Sequence, residues 1–284
     1  MTPVVVVTGA GGILGRALRD ELARGGFEVA PLGRAQLDVT DAAAVAAALR
    51  ARRPFAVVHA AAYTNVDGAE GDPERCFRVN AIATEVVARE SAAVGARFVY
   101  PSSDFVFDGT KREPYCEFDR PAPRGVYACS KYWGEVLAAG AHPAALVVRT
   151  QWLFGSGGPD FVTKILARAR EGRPFDVVED QVGCPTYTRD LARAIGRLLG
   201  SDATGLYHCA NRGETSWYEF ARAIARAGRL DESLVRPTTA ERLARPAPRP
   251  AYSALRNLRL ELTLGDPMRP WTDALGEAVE EERR

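Results

Sequence analysis

The stretch "VVVVTGAGGILG", residues 4–15, joins a run of valines to three glycines spaced G-x-x-G-x-x-G, namely Gly9, Gly12 and Gly15. Four consecutive valines have no polar face, so they read as a strand buried on both sides, as in the middle of a parallel sheet. The residues that follow, "ILGRALRDELARGG", change to helical spacing and stop at Gly25 and Gly26. Strand, glycine turn and helix in that order bring bare backbone and free helix N–H groups to one point. The helix dipole favours anionic charge there, which suits the pyrophosphate of a dinucleotide. A glycine triplet by itself marks only a loop; its place between strand and helix favours dinucleotide binding, with Gly9, Gly12, Ile13, Leu14 and Gly15 as the contacts.

The same alternation continues outward. "FEVAPL" (27–32), "FAVVHAA" (55–61), "RFVYPSS" (97–103) and "AALVVRT" (144–150) read as strands, separated by a helix over "DAAAVAAALRARR" (41–53) and a long helix from Pro73 to Val94. This order predicts an α/β chain with a Rossmann-like doubly wound parallel sheet, helices on both faces. Residues 1–149 form that domain, with completion by about 176–200, and residues 150–284 mostly form a smaller C-terminal α/β substrate-binding domain over the sheet's carboxyl edge. The tail "EAVEEERR" reads as a solvated helix end.

Composition limits the partners. The 284 residues carry 37 Lys plus Arg against 36 Asp plus Glu, so net charge gives no electrostatic reason to expect nucleic acid or a membrane surface. Five scattered cysteines without C-x-x-C spacing, with three histidines, argue against a zinc cluster or a disulfide framework, and no metal site is expected. The apolar start has no basic n-region and is too short to span a bilayer, which places the protein in the cytoplasm.

The end of the second strand usually selects the adenosine ribose. "PLGRAQLD" offers Arg34 and no carboxylate before Asp38, so Arg34 either pairs with a 2′-phosphate or is a surface arginine; Asp38 and Val39 fall near the adenine edge. Farther on, "GVYACSKYWGE" (125–135) sets Tyr127 and Lys131 four apart, on one helix face. Alone, such a pair is an ordinary wet surface. Downstream of a dinucleotide turn it becomes a candidate catalytic couple.

With those pieces in order, the chain resembles the extended short-chain dehydrogenase/reductases, and among them the dTDP-4-dehydrorhamnose reductases. The resemblance runs through "TGAGGILGRAL", "HAAAYTNVDGAE", "VNAIAT", "SSDFVFDGT", "YACSK", "RTQWLFG", "DQVGCPT" and "GLYHCANRGETSWYEFA". It implies a catalytic set of Ser103, Tyr127 and Lys131, with NADPH as cofactor, NADH as an alternative donor, and a 4-keto nucleotide sugar as substrate. It further implies cofactor contacts from Ala60, Ala61, Ala62, Tyr63 and Asn80. Sugar-side contacts are expected from Ser102, Asp104, Phe105 (where the family has tyrosine) and Trp152, and a diphosphate contact from Arg249. His59 has a packing role. Some relatives form metal-bridged dimers through carboxylates at positions held here by Ala17 and Arg189, so no such bridge is expected; the protein is a monomer or a homodimer.

The chemistry explains the residue types. Hydride delivery to a ketone builds an alkoxide that needs a proton donor in contact with it, and a phenol near an ammonium can act as that acid. Lys131 is expected to draw the Tyr127 pKa down from its reference of about 10, and Ser103 to orient the ketone oxygen. Two rivals share the fold. A nucleotide-sugar dehydratase needs an acidic residue after Asp104, where Phe105 stands, while an epimerase could use the same Tyr and Lys. The other rival, a non-catalytic regulatory subunit of methionine adenosyltransferase, is disfavoured by "YTNVDGAE", Trp152 and "DQVGCPT".

Overall fold

The computed structural model describes residues 2–155 and 157–282. The opening valines form β1 (Val4–Thr8), the glycine turn leads into α1 (Ile13–Arg24), and β2 (Glu28–Leu32), β3 (Ala56–His59), β4 (Arg97–Ser103) and β5 (Leu146–Thr150) follow. With a sixth strand, Gly205–His208, they make one sheet in the order Gly205–His208, β5, β4, β3, β1, β2, parallel throughout. Alternate valines of β1 serve two cores, since a strand's side chains point to opposite faces. Val5 and Val7 pack with Leu14, Leu18 and Leu22 of α1, whereas Val6 packs with Val45, Leu49, Phe98 and Tyr100. All three valines are fully buried, which is why the run has no polar face.

From β1 the chain goes outward to β2 and then crosses back to β3 on the other side. The connections diverge between β1 and β3, and that divergence opens a crevice at the strands' carboxyl ends.

The helix Thr188–Leu199, within the 176–200 stretch expected to complete this domain, packs Leu191, Ile195 and Leu198 with α1, and Gly205–His208, just beyond it, adds the sixth strand. The strand Phe175–Val178 pairs instead with Val235–Thr238, because Phe175 and Val177 belong to a separate core with Phe154, Ile165, Phe220 and Leu275. The long helix expected from Pro73 to Val94 is broken by a π-helical turn, Arg78–Ile82, between Pro73–Phe77 and Ala83–Ala93. There the Asn80 carbonyl accepts from Thr84 Oγ1 (2.8 Å) and Tyr100 Oη (3.0 Å), bonds that satisfy it outside the α-helical ladder. The tail is docked, not solvated: in the helix Trp271–Glu281, Ala274, Leu275, Ala278 and Val279 form an apolar stripe on the second core, and Tyr187 Oη donates to Glu281 at 2.7 Å. Arg283 and Arg284 of that tail lie outside the described residues. Among the described residues no helix is long and apolar enough to cross a membrane.

Candidate active site

A cleft of about 1270 Å³ runs along the carboxyl ends of the sheet, from the glycine turn to Trp152 and Trp217. It exceeds the ~300–1000 Å³ usual for one small ligand, so it has room for more than one. At its base Gly9 has φ +64°, and a Cβ there would stand 2.6 Å from the Ala61 nitrogen. The turn can therefore press on the Ala60–Ala61 backbone only as glycine. Gly12 caps α1 without a side-chain hydrogen bond, and the first turn carries no acidic residue. A Cβ on Gly11 would meet nothing within 4 Å. Open N–H groups, no competing carboxylate and bare backbone are what a pyrophosphate needs, so these residues fit a dinucleotide.

At one end of the cleft lie Arg34, Asp38 and Val39. The Asp38 carboxylate accepts from Thr40 N (3.0 Å) and Thr40 Oγ1 (2.7 Å), and these bonds, with the Arg34 charge, hold its pKa below the usual carboxylate value. Asp38 is thereby tied to its own turn, and among the described residues Arg34 makes no ion pair. Ala60, Ala61, Ala62 and Tyr63 line the wall beyond β3. Asn80 does not line it. Its side chain accepts from Tyr63 N (2.8 Å) and donates to Tyr63 O and Ser130 Oγ (both 3.0 Å), so it fixes the wall from behind. His59 is buried with Nδ1 2.8 Å from Thr8 Oγ1, and burial lowers its pKa to about 3, leaving it neutral.

The helix Val126–Ala141 begins after Gly125 and turns Tyr127 and Lys131 toward the end of β4, where Ser103 sits. Lys131 is 3% exposed; Nζ donates to Pro101 O at 2.8 Å and lies 4.0 Å from the Tyr100 ring centre. Burial lowers its pKa to about 7, with the Glu135 charge opposing. The Tyr127 ring meets Phe105 edge-on at 5.5 Å. Its pKa is raised, first by burial and then by the Asp104 charge, while a hydrogen bond with Ser103 lowers it. This reverses the expected downward shift, because burial outweighs any neighbouring cation, the Lys131 ammonium is turned to Pro101, and the Asp104 charge adds to the rise.

Asp104 is itself buried and accepts from Ser103 Oγ (3.0 Å) and from Ser253 Oγ (2.6 Å); burial raises its pKa to about 6. Ser102, one residue earlier, points into a different network. It donates to Glu135 Oε1 at 2.5 Å, and Glu135 holds the buried Arg149 guanidinium through bonds of 2.9 and 2.7 Å. Ser103 is thus the hydroxyl that faces Tyr127, as adjacent strand residues alternate in direction.

Beyond Ser103 the cleft wall is aromatic. Trp152, with φ +45°, stacks on Trp217 with centroids 3.6 Å apart and planes within 11°. Trp217 stands in the "SWYEF" segment quoted above, but nothing local in the sequence marked its ring as facing the cleft. Arg249 lies outside this cleft. It grips Asp67 with two bonds of 2.9 and 2.8 Å and lines a small neighbouring pocket with Leu243, Arg245 and Pro248. Arg189 pairs with Glu281 and stands 3.7 Å from Glu21 and 3.8 Å from Glu277. Among the described residues no group of three His, Cys, Asp or Glu is placed to hold a metal.

Comparison with known proteins agrees with this geometry. A family model described as the RmlD substrate binding domain matches residues 2–284. A dTDP-4-dehydrorhamnose reductase of Streptomyces griseus is 43% identical over 282 residues, covering 97% of this chain and 93% of that protein. A Streptomyces antibioticus protein named as a probable dTDP-4,6-dihydroxy-2-methyloxan-3-one 4-ketoreductase is 44% identical over 278 residues, covering 96% and 93%. The crystal structure of Bacillus anthracis dTDP-4-dehydrorhamnose reductase in complex with NADP matches with a TM-score of 0.96 and 37% identity, over 99% of this chain and 100% of that one. With similarity extending over the whole sheet and the whole C-terminal region, the chain belongs to the dTDP-4-dehydrorhamnose reductase family.

Proposed function

We propose that the protein reduces the 4-keto group of dTDP-4-dehydro-L-rhamnose to the alcohol of dTDP-L-rhamnose, with NADPH as reductant. The observation that carries this reading is the meeting of Ser103 and Tyr127, with Lys131 behind them, in a cleft that starts at an uncapped glycine turn. When bound there, the reduced nicotinamide supplies the hydride. Gly9, Gly12, Ile13, Leu14 and Gly15 hold its pyrophosphate, and Arg34 pairs with the 2′-phosphate. Tyr127, whose raised pKa keeps the phenol protonated at neutral pH, delivers the proton from Oη to the growing alkoxide. Ser103 orients the ketone oxygen, and Lys131 holds the cofactor ribose.

On the sugar side, Trp152 from the C-terminal region lies against the apolar face of the deoxysugar, and Phe105, just after β4, stands beside Tyr127. Arg249 is a diphosphate contact only if it leaves or shares Asp67. A second reading, reduction of another 4-keto-6-deoxy nucleotide sugar, is favoured by the 44% identity to the S. antibioticus 4-ketoreductase. Following nicotinamide absorbance with a panel of 4-keto nucleotide sugars tests both. Stoichiometric NADPH consumption with one of them is expected, and turnover without net consumption would point to an epimerase instead.

A further inference from the structure

The end of β5 holds polar atoms for which the mechanism above has no use. Thr150 Oγ1 and both Gln151 side-chain atoms, Oε1 and Nε2, are buried and have no hydrogen-bond partner among the described residues. Gln151 is only 2% exposed, yet both residues line the cleft, between Ser103 and Trp152. The register sets Thr150 directly beside Ser103, so the amide starts one residue beyond the hydroxyl that faces Tyr127. Its rotamer is boxed in. A Cβ on Gly183 would stand 2.8 Å from Gln151 Oε1 and 2.6 Å from the Trp152 ring, and the Cys184 thiol, a weak partner at best, lies beside it.

Burying a carboxamide with donor and acceptor both unpaired is costly unless something in the cleft completes the bonds. A phosphate or a ketone only accepts, so neither can satisfy Oε1. A hydroxyl both donates and accepts, and a pair of ring hydroxyls matches an amide's two ends together with the Thr150 hydroxyl. We infer that Gln151, with Thr150, recognises the sugar hydroxyls next to the reacting carbonyl and so sets which 4-keto sugar this enzyme accepts. The inference rests on the reductase reading above.

The test compares kcat/KM for a 4-keto-6-deoxy nucleotide sugar with that for its counterpart lacking the C3 hydroxyl, in the unmutated enzyme and in Gln151→Met, which keeps the volume and removes the amide. The unmutated enzyme is expected to prefer the hydroxylated substrate, and Gln151→Met to reduce that preference tenfold or more, because a site built to bond a hydroxyl discriminates strongly against its absence. NADPH affinity and the melting temperature are read in parallel. An amide that serves the ligand leaves both essentially unchanged, or raises the melting temperature. An unchanged preference, a loss confined to NADPH binding, or a marked drop in melting temperature overturns the inference while leaving the reductase reading in place. An unmutated protein inert toward the whole panel sinks the reductase reading, and this inference with it.

Discussion

Replacing Tyr127 by Phe removes one oxygen and leaves the ring, so its effect separates chemistry from structure. The ring's edge-on contact with Phe105 survives. Ser103 loses the phenol but is not orphaned, since it still donates to Asp104 at 3.0 Å and accepts from Phe105 N at 3.2 Å. Folding stability should therefore change by no more than about 1 kcal/mol, the net scale of one hydrogen bond. Turnover should fall by ~10²–10⁴, the usual contribution of a positioned general acid, or roughly 3–5 kcal/mol of barrier at about 1.4 kcal/mol per decade. Single-turnover stopped-flow of the nicotinamide band measures the step, cofactor titration shows whether binding survives, and a urea curve gives stability. Adding Ser103→Ala should cost less than the two single losses combined, because groups that act as a unit are not additive. A Tyr127→Phe protein that reduces the sugar at near-normal rate, or whose loss of rate tracks a loss of folded protein, would refute the assignment.

Three further outcomes are expected. Lys131→Met should weaken cofactor binding as well as turnover without lowering the melting temperature, because it replaces a buried ammonium whose pKa is already depressed to about 7. Arg34→Ala should narrow the affinity gap between NADPH and NADH by ~1–3 kcal/mol, the scale of a lost charge-assisted hydrogen bond, and equal affinities in the unmutated protein would discard that role. Acid should destabilise the fold through its buried histidines. His59 and His208 both have folded pKa values of about 3, below the unfolded value, so the unfolded chain binds more protons between about 3 and 6.5 and stability is lost as pH falls through that window. Asp104, raised to about 6, works in the opposite direction over part of it. Urea midpoints from pH 7 to 4.5 should fall, and His208→Gln should flatten the slope.

What the sequence determined by itself is whatever depends on neighbours in the chain. Four valines with no polar face specify a central strand, glycines at spacing three between that strand and a helix specify the turn, and residues four apart on a helix put Tyr127 and Lys131 on one side. The resemblance, carried by ordered motifs, pointed to the family. Other features depend on residues far apart, which only the packed chain brings together. The sixth strand came from Gly205–His208 because β5 offers it an edge, while the more apolar Phe175–Val178 went to another core. Burial turns the Tyr127 pKa upward, and Asp104, bonded by Ser253 from the far end of the chain, adds its charge. Asp67 claims Arg249 across 182 positions of sequence. Trp217 reaches Trp152, and the Gln151 amide is buried without a partner, for the same reason. Burial and side-chain direction are properties of the assembled layers, and no local pattern encodes them.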